Sequence, residues 1–213
     1  MSDEIRIRRL AAGDWDGVVA LEERAYAASG LSEGRAALES RGRASPDTCF
    51  ALEHRGRFGG YLLALPYPLF RCPDLSLTEA ARGADGAEEA GGARPGRPAN
   101  MHAHDLVIAE ELRGRGLAPL LLDHLARAAR ARGYRTVSLV AVRGSDVLWA
   151  PLGYRADPAV ALPASYGDRA VYMSMTLPPP EPVPAGAAPT PAARAGGHPD
   201  DPLAGSPPKV EVG

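Results

Sequence analysis

Residues 113–118 combine the residue types that bind anionic groups such as phosphate. Gly114 and Gly116 carry no Cβ, so the backbone can turn sharply there and several N–H groups can converge on one phosphate. A strand-like apolar run at residues 106–108 precedes this glycine loop, and a helix-like run at residues 117–132 follows it. Because the first turn of a helix has free N–H groups and the positive end of the helix dipole, anions are favoured there. The sequence therefore predicts a phosphate-binding loop between a strand and a helix.

Two widespread phosphate-binding motifs do not fit the glycine loop. It lacks the Gly-Lys-Ser/Thr ending of a P-loop, and it lacks the third glycine of a dinucleotide fingerprint. The next apolar run, residues 137–142, is followed by Arg143 rather than by the acidic residue that would bind a ribose. The loop does match Arg/Gln-x-x-Gly-x-Gly/Ala through Arg113, Gly116 and Ala118. This pattern resembles the pyrophosphate-binding loop of the GNAT superfamily of acyl-CoA-dependent N-acyltransferases; the alternative is a glycine-rich turn before an ordinary surface helix.

The elements around the glycine loop follow a mixed α/β order. We expect strands at 5–9, 48–53, 58–65, 101–108, 136–142 and 170–177, and helices at 15–26, capped by Asp14, and at 31–40, 117–132 and 145–152. A four-residue turn joins the second and third strands as an antiparallel hairpin, whereas strand, long helix and strand predict a parallel crossover. This order also resembles that of the GNAT fold over residues 5–177. The resemblance implies an α/β fold with a mixed, mostly antiparallel sheet, a central parallel crossover and helices on both faces.

Low-complexity composition limits the folded part of this 213-residue chain. Residues 74–100 and 178–213 are rich in Ala, Gly and Pro without an apolar period, which predicts an unstructured insertion and tail. About 150 residues remain, the size of one ordinary domain. We therefore expect a single domain at residues 1–177 with a low-complexity insertion.

Charge and cysteine content restrict the partners and the compartment. The formal charge of −2 gives no reason to expect nucleic acid or a membrane as partner. Cys49 and Cys72 have neither metal-ligand spacing nor histidine partners, so we expect no metal site. The charged N-terminal residues contain no apolar signal core, and no apolar run approaches the roughly 20 residues of a membrane helix. We therefore expect a soluble cytoplasmic protein, and the sequence leaves a homodimer open.

The resemblance implies acetyl-CoA as cosubstrate, held where the fourth and fifth strands separate. Backbone groups of the fourth strand would bond the pantetheine arm and the acyl carbonyl, and the glycine loop would wrap the pyrophosphate. Residues near the start of the last helix would be further contacts. The implied cosubstrate-binding residues are Leu106, Val107, Ile108, Arg113, Gly114, Arg115, Gly116, Leu117, Ala118, Pro119, Ser145 and Trp149.

Attack by an amine on a thioester requires a group that removes a proton from the ammonium form. The fourth strand offers His102, His104 and Asp105. We favour His104, because an imidazole titrates near neutral pH, with Asp105 as an alternative base or as the partner that orients a histidine. Strand alternation puts both histidines on one face of the sheet and Asp105 on the other. An ordinary strand histidine and a strand-edge carboxylate remain the alternative interpretation.

Trp149 departs from the family pattern. Many members have a tyrosine four residues before the Gly of a Leu-Gly-Phe motif, where it protonates the departing CoA thiolate; here the motif is Leu-Gly-Tyr at 152–154 and the position holds Trp149. An indole N–H is a hydrogen-bond donor but not an acid. Tyr166 and Tyr172 are the candidate replacements, and we take Tyr166 as the third catalytic candidate.

These observations favour an N-acetyltransferase that moves an acetyl group from acetyl-CoA to a primary amine by direct attack in a ternary complex. The resemblance implies that the acceptor, a small-molecule or peptide amine, is bound between residues 27–31 and 162–168. Trp149 motivates one alternative, a catalytically silent acyl-CoA-binding regulatory module. The glycine loop alone would also suit a nucleotide- or phosphate-binding protein outside this superfamily.

Overall fold

The computed structural model describes residues 4–79 and 100–179. This part of the chain is built around a central sheet. Seven strands in this part form one sheet in the order β1-β2-β3-β4-β5-β7-β6, and only β4 and β5 pair in parallel. The strands are β1 (Ile5–Arg9), β2 (Phe50–His54), β3 (Arg57–Pro66), β4 (Asn100–Ile108), β5 (Thr136–Ala141), β6 (Arg155–Ala156) and β7 (Val171–Thr176). The fold predicted from the sequence is confirmed; the two-residue strand β6 was not expected.

Helices cover both faces of the sheet. They are α1 (Trp15–Tyr26), α2 (Arg35–Ala44), α3 (Leu117–Ala131) and the short α4 (Asp146–Trp149). Every residue of β3 from Gly59 to Leu65 is buried, which is the pattern of a strand covered on both sides. Leu121 and Leu125 of α3 are fully buried in the core. Of the helices in the described part of the chain, none has both the length and the apolar character needed to span a bilayer.

β4 and β5 separate halfway along their length. Their parallel pairing runs from Asn100 opposite Thr136 to Ala103 opposite Leu139 and then stops. β4 nevertheless continues to Ile108, paired only with β3 on its other side. The edge of β4 that faces β5 is therefore free of sheet pairing over residues 104–108. This is the separation that the sequence resemblance implied.

A β-bulge lies in β4 where the separation begins. Leu63 pairs with Asp105 and the next residue, Ala64, pairs with Ala103, so His104 is an extra residue without a partner on β3. A bulge interrupts the alternation of side chains along a strand. His104 and Asp105 consequently line the same cavity, and the expectation that they lie on opposite faces is wrong.

Several predicted element boundaries are wrong for identifiable reasons. Helix α2 begins at Arg35 rather than at 31, because the Glu22 carboxylate accepts hydrogen bonds from Ser32 Oγ and Glu33 N (both 2.7 Å) and holds that segment as a loop. The hairpin turn contains two residues, not four. Asp14 does not cap α1, since its carboxylate accepts from the Arg8 guanidinium instead.

The predicted unstructured insertion begins too early in the chain. Residues 74–79 pack against the domain: Ser165 Oγ donates to Asp74 Oδ1 (2.9 Å), and Arg41 donates to the carbonyl oxygens of Asp74 and Leu77 (2.8 and 3.0 Å). The expectation for these six residues is therefore wrong. The rest of the insertion, residues 80–99, and the tail from residue 180 lie outside the described residues.

Candidate active site

The separation of β4 and β5 opens a cleft with mostly apolar walls. Leu106, Leu122, Leu139 and Val140 line it, and Trp149 closes one side. The Trp149 indole donates its N–H to Ser145 Oγ (3.2 Å), and both residues line the cleft. Such a cleft suits a long, flexible ligand arm that has amide groups along an apolar chain.

The free edge of β4 is reachable from this cleft. The side chain of His104 is 0% exposed, whereas the residue as a whole is partly exposed, so its exposed surface belongs to the backbone. Leu106 is likewise partly exposed. Unpaired backbone groups here can form hydrogen bonds with a ligand in the way that a neighbouring strand would.

The glycine loop has the backbone conformation that its two glycines allow. Gly114 and Gly116 adopt φ of +74° and +73°, in the left-handed region that other residues rarely occupy. Gly116 directly precedes helix α3, so the first-turn N–H groups of Leu117 and Ala118 have no acceptor within the helix. Pro119 has no N–H to contribute. The loop can therefore present converging N–H groups to an anion.

Arginines line a surface depression next to this loop. Arg24, Arg113 and Arg143 line a shared depression together with Glu110 and Glu111. The Arg113 Nε donates to the carbonyl oxygen of Ile108 (3.2 Å), which links the glycine loop to the end of β4. All three arginines are exposed, so their charges are available to a phosphate group.

A second cavity adjoins the cleft at the freed part of β4. Its wall contains carboxylate, hydroxyl and apolar side chains from the α1–α2 region, from β4 and β5 and from the segment around Tyr166. Tyr26, His104, Asp105, Val140 and Val142 line both this cavity and the cleft. The two spaces therefore meet at these five residues, and the first three carry the polar groups beside which a ligand in the cleft and one in the cavity could react.

His104 is held by an acidic partner in this cavity. Its Nε2 lies 2.5 Å from Glu33 Oε1, and Arg41 Nη2 donates to Glu33 Oε2 (2.7 Å). Arg41 Nε lies 2.9 Å from the same imidazole nitrogen and 3.2 Å from Glu33 Oε2. One nitrogen cannot both donate to Glu33 and accept from Arg41, so we assign the proton to Nε2 and the Arg41 Nε bond to the carboxylate.

This assignment leaves His104 Nδ1 as a proton acceptor. Within the described residues this nitrogen is buried and has no hydrogen-bond partner. Burial alone would raise the pKa of Glu33, but the adjacent His104 and Arg41 outweigh it and lower that pKa, so Glu33 is ionised near neutral pH. A carboxylate that accepts from one imidazole nitrogen orients the ring and fixes the tautomer, so that the other nitrogen is the acceptor.

Asp105 is the second proton acceptor at the junction. Burial raises the pKa of its carboxyl to about 6, although the hydrogen bond from the Tyr61 hydroxyl opposes the rise. Burial, together with the neighbouring Asp105 carboxylate, raises the pKa of Tyr26 well above its usual range, so that hydroxyl keeps its proton. Asp105 therefore lies beside Tyr61 and Tyr26. The carboxylate that orients His104 is Glu33, whereas Asp105 was the partner suggested from the sequence.

The remaining predicted catalytic residues are engaged elsewhere. His102 is fully buried with Nδ1 2.9 Å from Ser138 Oγ, and burial lowers its pKa well below the usual range. The Tyr166 hydroxyl donates to the Pro73 carbonyl oxygen (2.9 Å), and the ring lines the cavity. The Tyr172 hydroxyl accepts from the backbone N–H of Phe70 (3.0 Å).

Sequence reasoning missed two members of the site, Glu33 and Arg41. Glu33 lies in a loop 71 residues before His104 and belongs to no motif. Arg41 is 1% exposed, but nothing in its sequence context distinguishes it from the exposed arginines of the chain. No cluster of three or more His, Cys, Asp or Glu side chains suited to a metal ion occurs in residues 4–79 and 100–179.

Comparison with known families agrees with this architecture. The sequence model of the acetyltransferase (GNAT) family matches residues 15–149, which is more than half of the chain. The chain therefore belongs to the acetyltransferase (GNAT) family, and the family membership predicted from the glycine loop is confirmed. No curated protein sequence matches the chain significantly.

Solved structures of the same fold include enzymes with different activities. The GNAT-like decarboxylase GphF, in complex with isobutyryl-CoA, is 23% identical over 81% of this chain and 100% of its own, with a TM-score of 0.60. Chaetomium thermophilum Naa20, in complex with a bisubstrate analogue, is 17% identical over 81% and 86%, with a TM-score of 0.55. An agmatine N-acetyltransferase mutant is 22% identical over 82% and 99%, with a TM-score of 0.56. At these identities the likeness shows the shared fold.

Proposed function

We propose that this protein transfers an acetyl group from acetyl-CoA to a primary amine by direct attack in a ternary complex. The observation that carries the proposal is the junction of cleft and cavity at Tyr26, His104 and Asp105. The cleft is lined by Leu106 of β4 and Leu122 of α3, the two elements that flank the glycine loop, and the cavity contains side chains that can accept a proton. Two proteins of similar structure support this reading, since one was solved with an acyl-CoA and another is an agmatine N-acetyltransferase. The free, buried thiols of Cys49 and Cys72 support a reducing, cytoplasmic location.

Acetyl-CoA would bind along the cleft. The backbone N–H groups of the glycine loop and the first turn of α3 would bind the diphosphate. The exposed side chains of Arg24, Arg113 and Arg143 beside the loop would assist them. The free edge of β4 would bond the pantetheine amides, and Trp149 would pack against the arm. The proposed contacts are Leu106, Val107, Ile108, Arg113, Gly114, Arg115, Gly116, Leu117, Ala118, Ser145 and Trp149, with Pro119 contributing only its ring.

The amine would react at the junction of the two spaces. His104 Nδ1 would take the proton that the ammonium form must lose, with Glu33 stabilising the imidazolium that results. The amine nitrogen then forms a bond to the thioester carbonyl carbon and the carbon–sulfur bond breaks. The surplus proton of the nitrogen would pass to the departing thiolate through the hydroxyl of Tyr26, a residue that lines both spaces and is left neutral by this relay. Asp105, ionised above about pH 6, would attract the ammonium group.

The test is amine-dependent release of free CoA thiol from acetyl-CoA. We expect His104→Asn to lower kcat roughly 10²- to 10⁴-fold, the usual effect of losing a general base, while the acetyl-CoA Kd stays unchanged. Asp105→Asn should mainly raise the KM for the amine. His124→Asn, the same substitution on helix α3 and outside both spaces, is the matched control. A kcat lost in Asp105→Asn and kept in His104→Asn would transfer the role of base to Asp105.

The silent acyl-CoA-binding module remains the second candidate, because Trp149 stands where family members have an acidic hydroxyl. It predicts acetyl-CoA binding by calorimetry without thiol release for any amine. Binding together with amine-dependent release excludes it.

A further inference from the structure

The cavity walls indicate which kind of amine the protein accepts. We propose that the acceptor is a small cationic primary amine with a short apolar stem, rather than the N-terminus of a peptide. This inference rests on the proposed function and narrows its substrate class.

The charge of the cavity favours a cation. Glu22 is 2% exposed, and its carboxylate accepts hydrogen bonds from Ser32 Oγ and Glu33 N, neither of which carries a positive charge. Asp105 accepts from the Tyr61 hydroxyl, also uncharged. Only Glu33 among the carboxylates of the cavity wall has an arginine beside it in the described part of the chain. Since buried anions are costly without a cation, an ammonium group would be stabilised here.

A second observation also indicates a ligand in this cavity. His104 Nδ1, on a side chain that is 0% exposed, has no hydrogen-bond partner within the described residues. Buried polar atoms in proteins nearly always have a partner. The N–H of an amine acceptor can supply it, at the place where the proton must be removed.

The size and lining of the cavity limit the rest of the acceptor. The space available to the centres of water-sized groups is about 40 Å³. This is roughly three times what one such group requires, enough for an ammonium head and a stem of a few atoms. Leu31, Leu75, Val140 and Val142 form the apolar part of the wall. A short aliphatic stem fits this lining, whereas a peptide backbone would leave its polar groups without partners.

A pinned segment, which we call the strap (residues 73–79), fixes one wall. The Tyr166 hydroxyl donates to Pro73 O, Leu75 N donates to Ser165 Oγ (3.2 Å), and Arg41 pairs with Glu79. Leu75 is thereby held against the cavity. Because the strap is attached at both ends, the cavity cannot lengthen without breaking these contacts.

A three-amine panel with the full chain and acetyl-CoA tests the inference by thiol release. The probes are n-butylamine, 4-aminobutanoate, which adds a carboxylate to the same stem, and a tetrapeptide with a free N-terminus. We expect kcat/KM for n-butylamine to exceed that of 4-aminobutanoate roughly tenfold or more, and that of the tetrapeptide roughly a hundredfold. Faster reaction with the tetrapeptide or with 4-aminobutanoate overturns the inference and leaves the proposed function standing. No release with any probe overturns both.

Two variants test the wall itself. Leu75→Ala should raise the ratio of kcat/KM for n-octylamine over n-butylamine roughly tenfold, because it lengthens the apolar space. Leu77→Ala is the control on the same strap, because Leu77 is 48% exposed and does not line the cavity. Glu22→Gln should raise the KM for n-butylamine about tenfold with little change in kcat. The inference is overturned if Leu75→Ala leaves the ratio of kcat/KM for n-octylamine over n-butylamine unchanged and Glu22→Gln leaves the KM for n-butylamine unchanged.

Discussion

Adjacent residues His104 and Asp105 provide two different proton acceptors to one reaction space. The bulge turns both side chains toward the cavity, but their partners differ. The His104 imidazole is oriented by an ionised carboxylate, Glu33, whereas the Asp105 carboxyl is buried beside the uncharged Tyr61 hydroxyl. A base needs an oriented lone pair, and an ammonium-binding group needs an uncompensated charge. The division of roles in the proposed mechanism follows from these environments.

The raised pKa of Asp105 predicts a pH dependence of stability. Its carboxyl changes from the ordinary value of 3.8 to about 6 on folding, so between these pH values the folded chain holds a proton that the unfolded chain has lost. The free energy of unfolding therefore falls as pH rises through this window, by on the order of 3 kcal/mol from this group. We expect Asp105→Asn to be more stable than the wild type above pH 6 and to lose that advantage near pH 4. Urea denaturation at several pH values measures this, and parallel curves for the two proteins would contradict it.

Tyr26 and Tyr166 should respond differently to loss of the hydroxyl. Tyr26 lines both the cleft and the cavity, so we expect Tyr26→Phe to lower kcat roughly tenfold or more by removing a proton donor to the thiolate. The Tyr166 hydroxyl is bonded to Pro73 O, so Tyr166→Phe should cost about 1 kcal/mol of stability and leave kcat nearly unchanged. Steady-state kinetics and denaturation of the pair separate the roles, and the reverse result would assign the acid to Tyr166.

At the scale of elements, β4, the glycine loop and α3 form the proposed cosubstrate-binding unit. Their order was predictable, because apolar periodicity changes from strand to helix across the two glycines. The bulge was not predictable from β4, because it is set by the register of β3, where consecutive residues Leu63 and Ala64 pair with Asp105 and Ala103. A sequence shows the alternation within one strand but not the pairing that interrupts it.

The role of the glycine loop can be separated from backbone strain by a matched pair of variants. Gly116 and Gly133 stand at opposite ends of α3 with φ of +73° and +82°, and open space surrounds both. Replacing either by Glu should cost about 1–2 kcal/mol of stability from the left-handed backbone. Only Gly116→Glu should abolish acetyl-CoA binding, because it puts a bulky negative group where the diphosphate would bind. Calorimetric titration measures the affinity of each variant for acetyl-CoA. Equal affinity in the two variants would remove the loop from the proposal.

At the scale of the whole molecule, the site depends on contacts between distant segments. Arg41 on α2 reaches His104 on β4 and Glu79 on the strap, across 63 and 38 residues of sequence. Sequence patterns carry no signal for such contacts, since all basic residues of the described part are arginines and Arg41 resembles its exposed neighbours. The fold and the position of the glycine loop between a strand and a helix were therefore predictable from local patterns, whereas the arrangement of side chains in the cavity required the tertiary structure.

Arg41 should consequently be critical for stability and for the shape of the cavity. Its side chain is 1% exposed and pairs with Glu33 and Glu79, which are 4% and 8% exposed. Arg41→Met would leave two buried carboxylates without their cation, a change that typically costs 3–5 kcal/mol. Arg43→Met, on the same helix, removes only an exposed pair with Glu39 and should cost less than about 1 kcal/mol.

Denaturant unfolding of these two arginine variants measures the costs. Glu79→Gln distinguishes the two ends of the Arg41 network, because it removes the ion pair between Arg41 and the strap while the Glu33–His104 pair stays intact. We expect Glu79→Gln to relax the preference for short amines and to keep the His104-dependent kcat, since strap and base share only the arginine between them. A loss of kcat equal to that of His104→Asn would mean instead that the strap positions the base, and that binding and catalysis in this protein depend on a single buried network.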